Sequence, residues 1–156
     1  MYKRQDLDKT HAQGVELSLD QRGFGLEALD IRANITFTEA EVAANSADPS
    51  TVGNTYPRMP KWRTNLLATY HLNDALDVAV SLRHASDSYG RLDNSDDVDN
   101  VYGAQDGYSH WGSKVSYDVN KNVDVSVGID NIFNDVDYVA HPWPGRNVYM
   151  SMSFDM

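Results

Sequence analysis

Apolar and polar residues alternate one by one through seven stretches of this chain. Val15, Leu17 and Leu19 interleave with Glu16, Ser18 and Asp20, and Leu29, Ile31, Ala33, Ile35 and Phe37 with Asp30, Arg32, Asn34 and Thr36. The pattern recurs over 62–72, where Leu67 falls on the polar side, and over 76–83, 111–119, 123–129 and 148–154. Successive side chains of a strand point to opposite faces, so a period of two gives each strand one apolar and one polar face. A helix needs its apolar residues three and four apart, and no stretch of useful length offers that. The chain is expected to be all-β.

The connections alternate in length. Asn73-Asp74-Ala75 and Asn120-Lys121-Asn122 read as tight polar turns, and 21–27, with Gly23 and Gly25, as a slightly longer one. Between them lie long connections over 38–61, 85–107 and 134–146. Connections above about 12–15 residues are uncommon in compact soluble domains. Short turns at one end and long loops at the other are the plan of a bacterial outer-membrane barrel. A soluble sandwich or lipocalin-like barrel also alternates, so the composition of the faces is informative. The apolar face carries no charge, whereas the polar face carries Glu16, Asp20, Asp30, Arg32, Arg63, Asp77, Arg83, Lys114, Asp118, Asp124, Asp130 and Asp155. Lipid contact demands that separation, since Arg or Lys facing the bilayer midplane costs about 2–4 kcal/mol. Tyr70, Tyr117 and Phe154 fall on the apolar face toward the short-turn end, and Phe37, Trp62 and Trp111 toward the long-loop end. Two aromatic levels fit the two interfaces of a membrane.

Composition narrows the rest. The 156 residues suffice for one domain, and no cysteine is present to form a disulfide or a thiolate metal site. A net charge of −10 without a basic patch speaks against nucleic acid as a partner. No apolar run reaches the roughly 20 residues of a membrane-spanning helix. The polar start, Met1-Tyr2-Lys3-Arg4-Gln5-Asp6, lacks a signal-peptide apolar segment, so an exported protein of this kind is expected to begin upstream.

Val127-Gly128-Ile129-Asp130-Asn131-Ile132-Phe133-Asn134 with Tyr138 resembles the penultimate strand and "DNLF…Y" ending of TonB-dependent receptors. Pro144-Gly145-Arg146, followed by 147–154 ending at Phe154, resembles that family's entry to its closing strand. Gly14-Val15-Glu16-Leu17 and Met59-Pro60-Lys61-Trp62-Arg63 resemble upstream barrel strands, and the matches keep the family's order over nearly the whole chain. The resemblance implies an antiparallel up-and-down transmembrane β-barrel in the outer membrane of a Gram-negative bacterium. Residues 1–156 would supply about the last seven of 22 strands, without the plug domain and TonB box. The implied partners are outer-membrane lipid, the TonB complex acting through the plug, the barrel-assembly machinery and a small ligand such as a metal chelate, by default an iron–siderophore. The implied function is uptake of a scarce nutrient, not catalysis, with no cofactor. Phe154 is followed by Asp155-Met156, so the terminal aromatic is not the last residue as the pattern has it. A small outer-membrane barrel or adhesin, with one more strand in residues 1–11, and a soluble ligand-binding barrel are the alternatives.

Residues bearing on chemistry are few. His11, His71, His84, His110 and His141 have no metal or catalytic spacing, and no nucleophile or phosphate-loop motif appears. Asp93, Asp96, Asp97 and Asp99 make an oxygen-rich loop that resembles a Ca²⁺ site only weakly, lacking the EF-hand glycine and distal glutamate. Arg32, Arg63, Arg83 and Lys114 share the polar face and are candidate contacts for an anionic ligand. The competing expectation is pairing with Asp30, Asp77, Glu16 or similar neighbours. Tyr56, Tyr89, Tyr102, Tyr108, Tyr138 and Trp143 are loop aromatics available to a ligand. Asp130, Asn131, Phe133, Tyr138, Gly145 and Arg146 read as structural. Asp130 and Asn131 are expected to order the last loop, Gly145 to relieve its backbone, and Arg146 to meet a carboxylate.

Overall fold

The computed structural model describes residues 7–155. It contains β1 (Lys9–Gln21), β2 (Leu29–Ala44), β3 (Trp62–Asn73), β4 (Leu76–Ala85), β5 (Tyr108–Asn120), β6 (Val123–Asp130), β7 (Tyr138–Val139), β8 (His141–Pro142) and β9 (Asn147–Phe154), with one 3-10 turn at Pro49–Thr51. Seven strands form a single antiparallel sheet in the order β1-β2-β3-β4-β5-β6-β9, while β7 and β8 pair as a small hairpin inside the last connection. β1 and β9 each have one neighbour, so the sheet is an open segment of a barrel wall.

The register follows the alternation. Leu17 faces Ile35, Ala33 faces Leu66, Leu82 faces Trp111, Val115 faces Val127 and Val127 faces Met150, all on one surface. On the other surface Asp20 faces Arg32, Asn65 faces Arg83 and Asp124 faces Ser153. A slip of one residue would exchange the two faces, so the apolar pattern fixes the pairing. Phe37 and Trp62, opposite each other at the long-loop end, have ring centroids 4.8 Å apart.

The short turns form as their residues dictate. Asn73 Oδ1 accepts from the Ala75 N–H at 2.9 Å and Asn120 Oδ1 from the Asn122 N–H at 3.0 Å, each asparagine side chain closing its own turn. In the longer turn Gly23 and Gly25 take φ of 65° and 69°, a region open to glycine at little cost.

One boundary departs from the sequence reading. β2 does not stop at Phe37 but continues to Ala44, still paired with β1 up to Lys9. Beyond Phe37 the alternation inverts: Glu39 and Glu41 lie on the side that carried Ile35 and Phe37, while Ala40 and Val42 are buried on the other. A strand turns a continuous apolar face outward where the outside is lipid. Past the membrane edge the outside is water, and the inside is filled by loops. The inversion conceals the strand from a search for constant phase. Residues 9–11, expected in one alternative to start a further strand, belong to β1, and residues 1–6 lie outside the described residues.

The packed core sits at the long-loop end. Ala40, Val42, Ala85 and Ala104 are buried there with Asn45, Thr51, Gln105, Asp106, His110 and Asn131, and Ser126 is buried within the sheet. The apolar face of the strands remains exposed, from Leu17 on β1 to Met150 on β9.

Candidate functional site: a woven loop cap over a polar wall

The three long loops are tied to one another largely through backbone groups. Between the first and second, the Arg58 N–H donates to the Tyr89 carbonyl at 2.7 Å, the Thr55 N–H to Asn94 Oδ1 at 2.9 Å, and Asn54 Nδ2 to the Leu92 carbonyl at 3.1 Å. Between the second and third, the Gly103 N–H donates to the Ala140 carbonyl at 2.9 Å and the Ala140 N–H to the Ala104 carbonyl at 2.8 Å. The Asp106 N–H meets the Tyr138 carbonyl at 2.9 Å, and Asp106 Oδ2 accepts from the Tyr138 N–H at 2.8 Å. Segments with little regular structure of their own thus satisfy their polar groups as a cap.

Side chains anchor the last loop to the wall. His110, buried at the start of β5, lies with Nε2 2.7 Å from Asp137 Oδ2. Its ring stacks on Tyr108 at 4.9 Å, and Tyr108 stacks on Trp143 at 5.3 Å. Asn131 takes φ of 50°, and its buried carboxamide accepts from the Asp135 N–H at 3.0 Å while donating to the Asp135 and Pro144 carbonyls at 2.9 and 3.3 Å. It orders the loop by spanning both its ends. Asp130 lies at the end of β6 beside Gly112, within the same wall cleft as Asn131. Gly145 has ordinary φ. A Cβ there would lie 3.0 Å from Asn134 Oδ1, so close approach and not backbone conformation favours glycine. The carboxylate expected for Arg146 is not found among the described residues, and its N–H donates to Asn134 Oδ1 at 2.9 Å. Tyr138 packs edge-on against Tyr102 at 5.7 Å, and Phe133 and Phe154 are exposed.

The polar wall is only partly neutralised. Arg32 Nε lies 3.3 Å from Asp20 Oδ2, an exposed pair across β1 and β2 of the cross-strand acidic kind expected. Among the described residues Arg63, Arg83 and Lys114 have no carboxylate within 4.0 Å. The fold does not gather the four cations into one site. Arg83 lines a cleft of about 300 Å³ with His110, Asp130, Asn131 and Trp143 and also borders a groove containing Arg32. Lys114 lines another cleft, whereas Arg63 opens into a third, of about 440 Å³, beneath the cap. In that third cleft stands Arg58, which the sequence reading passed over because a lone loop arginine carries no periodic signal. In the cleft that holds Lys114 the Tyr149 ring lies directly across from Gly128 on the neighbouring strand, where any Cβ would collide with it.

In the acidic loop, Asp96 accepts from the Gly90 N–H at 2.7 Å and the Arg91 N–H at 3.2 Å. Asp93 accepts from the Ser95 hydroxyl at 2.8 Å and N–H at 3.1 Å, contacts that hold its carboxyl below the usual carboxylate range. Asp97 and Asp99 lie in the same loop. No group of three or more metal-ligating side chains is gathered among the described residues.

This wall of antiparallel strands, apolar outside and polar inside under long loops, is that of an outer-membrane barrel. The chain belongs to the family described as TonB dependent receptor-like, beta-barrel, whose model matches residues 2–132. It is therefore a β-barrel segment of a Gram-negative outer membrane, with the polar face toward the lumen and the apolar face toward lipid, and the soluble-barrel alternative is set aside. The chain is 26% identical over 136 residues, 81% of its length, to the probable TonB-dependent siderophore receptor PiuA of Acinetobacter baumannii, and spans 17% of that relative. Its fold resembles the crystal structure of the siderophore receptor PiuA from Acinetobacter baumannii, with a TM-score of 0.77 and 23% identity over 93% of this chain and 22% of that one. It also resembles the ferric yersiniabactin uptake receptor FyuA from Yersinia pestis, with a TM-score of 0.76 and 19% identity over 94% and 24% of the two chains. These relatives are described as receptors.

Proposed function

We propose that the chain is the C-terminal part of the barrel of an energy-coupled uptake receptor, supplying wall strands and three ligand-facing loops for a scarce nutrient, by family analogy an iron–siderophore complex. The plug, the TonB box and the remaining strands belong to the longer parent. The TonB complex acts on the plug to release the ligand inward, and the barrel-assembly machinery inserts the wall. The observation that carries this reading is the cap. A framework of hydrogen-bonded loops stands over a polar face on which Arg63, Arg83 and Lys114 have no carboxylate within 4.0 Å among the described residues. Unneutralised cations at the mouth of a channel raise the local concentration of anionic ligands. An adhesin would need no such lumen.

The test is uptake of radioactive iron, presented as siderophore complexes, by iron-starved cells expressing the complete gene. Accumulation that stops when TonB is deleted or the proton gradient is collapsed supports the reading. Ligand adherence without energy-dependent accumulation would favour the small-barrel or adhesin alternative.

A further inference from the structure

We propose that His71 is a proton-dependent clamp at the short-turn end of the wall, joining β2, β3 and β4 when its imidazole is charged and loosening them when it is neutral. The clamp belongs to the wall and stands apart from the uptake reading. His71 lies on β3 directly opposite Asp77 of β4, with Nδ1 2.7 Å from Asp77 Oδ1. Its Nε2 lies 3.4 Å from Asp30 Oδ2 of β2. Both ring nitrogens thus face a carboxylate, and no other basic side chain among the described residues has two. A neutral imidazole has one N–H and one bare nitrogen, so it donates to one carboxylate and turns a lone pair toward the other. Only the imidazolium donates to both.

The contacts continue into the backbone. Asp30 Oδ1 accepts from the Gly23 N–H at 3.1 Å, in the turn between β1 and β2. The His71 N–H donates to the Ala28 carbonyl at 2.8 Å, where that turn rejoins β2. One string of contacts therefore runs from Asp77 through His71 and Asp30 to Gly23. Little packing supports the turn otherwise, since Phe24 and Leu26 are exposed. In an outer-membrane barrel the short-turn end meets the periplasm. The His71 side chain is 41% exposed there, so water can carry protons to and from it. The other charged groups around the clamp come from every neighbouring element. Asp20 and Arg22, before the turn, line a cleft with Asp30 and Arg32, and Asp20 already holds Arg32. On β5, Lys114 lines a cleft with Asp77, and Asp118 shares its face. Glu27 and Asp74 stand in the adjoining turns. Histidine is the one side-chain type in this set that ordinarily changes charge between about pH 5 and pH 8. Charging supplies the second donor, so the clamp is complete at the acid end of that range and is lost as the pH rises through it.

The experiment is amide hydrogen exchange, read by mass spectrometry on the protein expressed from its complete gene and purified in detergent micelles. It compares about pH 5.5 with about pH 8, each rate divided by the intrinsic rate at that pH. Peptides covering 23–30 and 71–77 should lose roughly threefold in protection at the higher pH, the size of an exposed ion pair. His71→Gln should show equal protection at both values. His84→Gln, at the long-loop end of β4, should keep the full response. Asp77→Asn leaves the imidazole one carboxylate and should shrink the response, which keeps the test open if His71→Gln fails to assemble. Equal protection at both values in the unsubstituted protein, a response of opposite sign, or a full response surviving in His71→Gln or Asp77→Asn overturns the clamp. So does an equal response in the 120–123 turn, which would make the change global.

Discussion

In the wall, Leu17 on β1 and Met150 on β9 expose 67% and 76% of their surface, whereas in the cap Val42 and Ala104 expose none. The wall holds its shape by strand pairing and presents its apolar residues to lipid. The cap packs small apolar and polar residues inward and turns Glu39 and Glu41 to water. Both regions continue the same strands, since β2 runs through the membrane edge without a break in its pairing with β1. The difference teaches that the solvent outside, not the strand itself, decides which face is apolar. It also separates two failures: damage to the wall should prevent assembly, and damage to the cap should loosen loops on an intact barrel.

The largest effect is expected from Val80→Arg, which places a cation on the lipid face midway along β4. A cost of about 2–4 kcal/mol should abolish the folded, heat-modifiable band on gels of outer-membrane fractions. Ser116→Arg, on the lumen face opposite Asp77, should assemble normally. Equal assembly of the two would break the assignment of faces.

Asn131→Ala comes next. It removes three hydrogen bonds of a buried side chain and leaves an alanine at φ of 50°, a loss of roughly 2 kcal/mol from the last loop. Limited proteolysis should cut within 132–146 while the barrel band persists. A simultaneous loss of the band would mean that the loop and the wall are one cooperative unit.

A smaller change, of about 1 kcal/mol, should follow Asp137→Ala, which frees His110 from its partner. Amide exchange should quicken across 137–142 and, through the Asp106 and Ala140 contacts, across 103–106, but not in β3 or β4. Faster exchange confined to the last loop would show that the loops are not coupled.

The smallest effect is a pH response in the second loop. The Ser95 hydroxyl and N–H depress the Asp93 carboxyl below its ordinary value of 3.8. A depressed folded value means that the contact's contribution is fully present above the ordinary value and is lost as pH falls through the folded one. Exchange at the Ser95 amide should therefore accelerate only below about pH 3.8. An onset near neutral pH would exclude Asp93 as the cause.

Much of the architecture was legible. Alternation placed all seven wall strands, the asparagine turns marked their short ends, and the family motifs near Asp130, Asn131 and Gly145 pointed to the last loop. Less of the candidate site was. Arg32 pairs with Asp20 across the strands, the acidic-neighbour alternative, while the other three cations fall in separate clefts. Arg58 carried no signal beyond a proline before it. The continuation of β2 was hidden by the phase inversion at the membrane edge.

Strand identity, facing and the lipid boundary were determined by the sequence itself, because a period of two and the exclusion of charge from one face act locally along each strand. The weaving of the loops and the pairing of His110 with Asp137 were decided only by the tertiary structure. Those contacts join residues far apart in the chain through backbone groups and single side chains, and neither leaves a periodic trace.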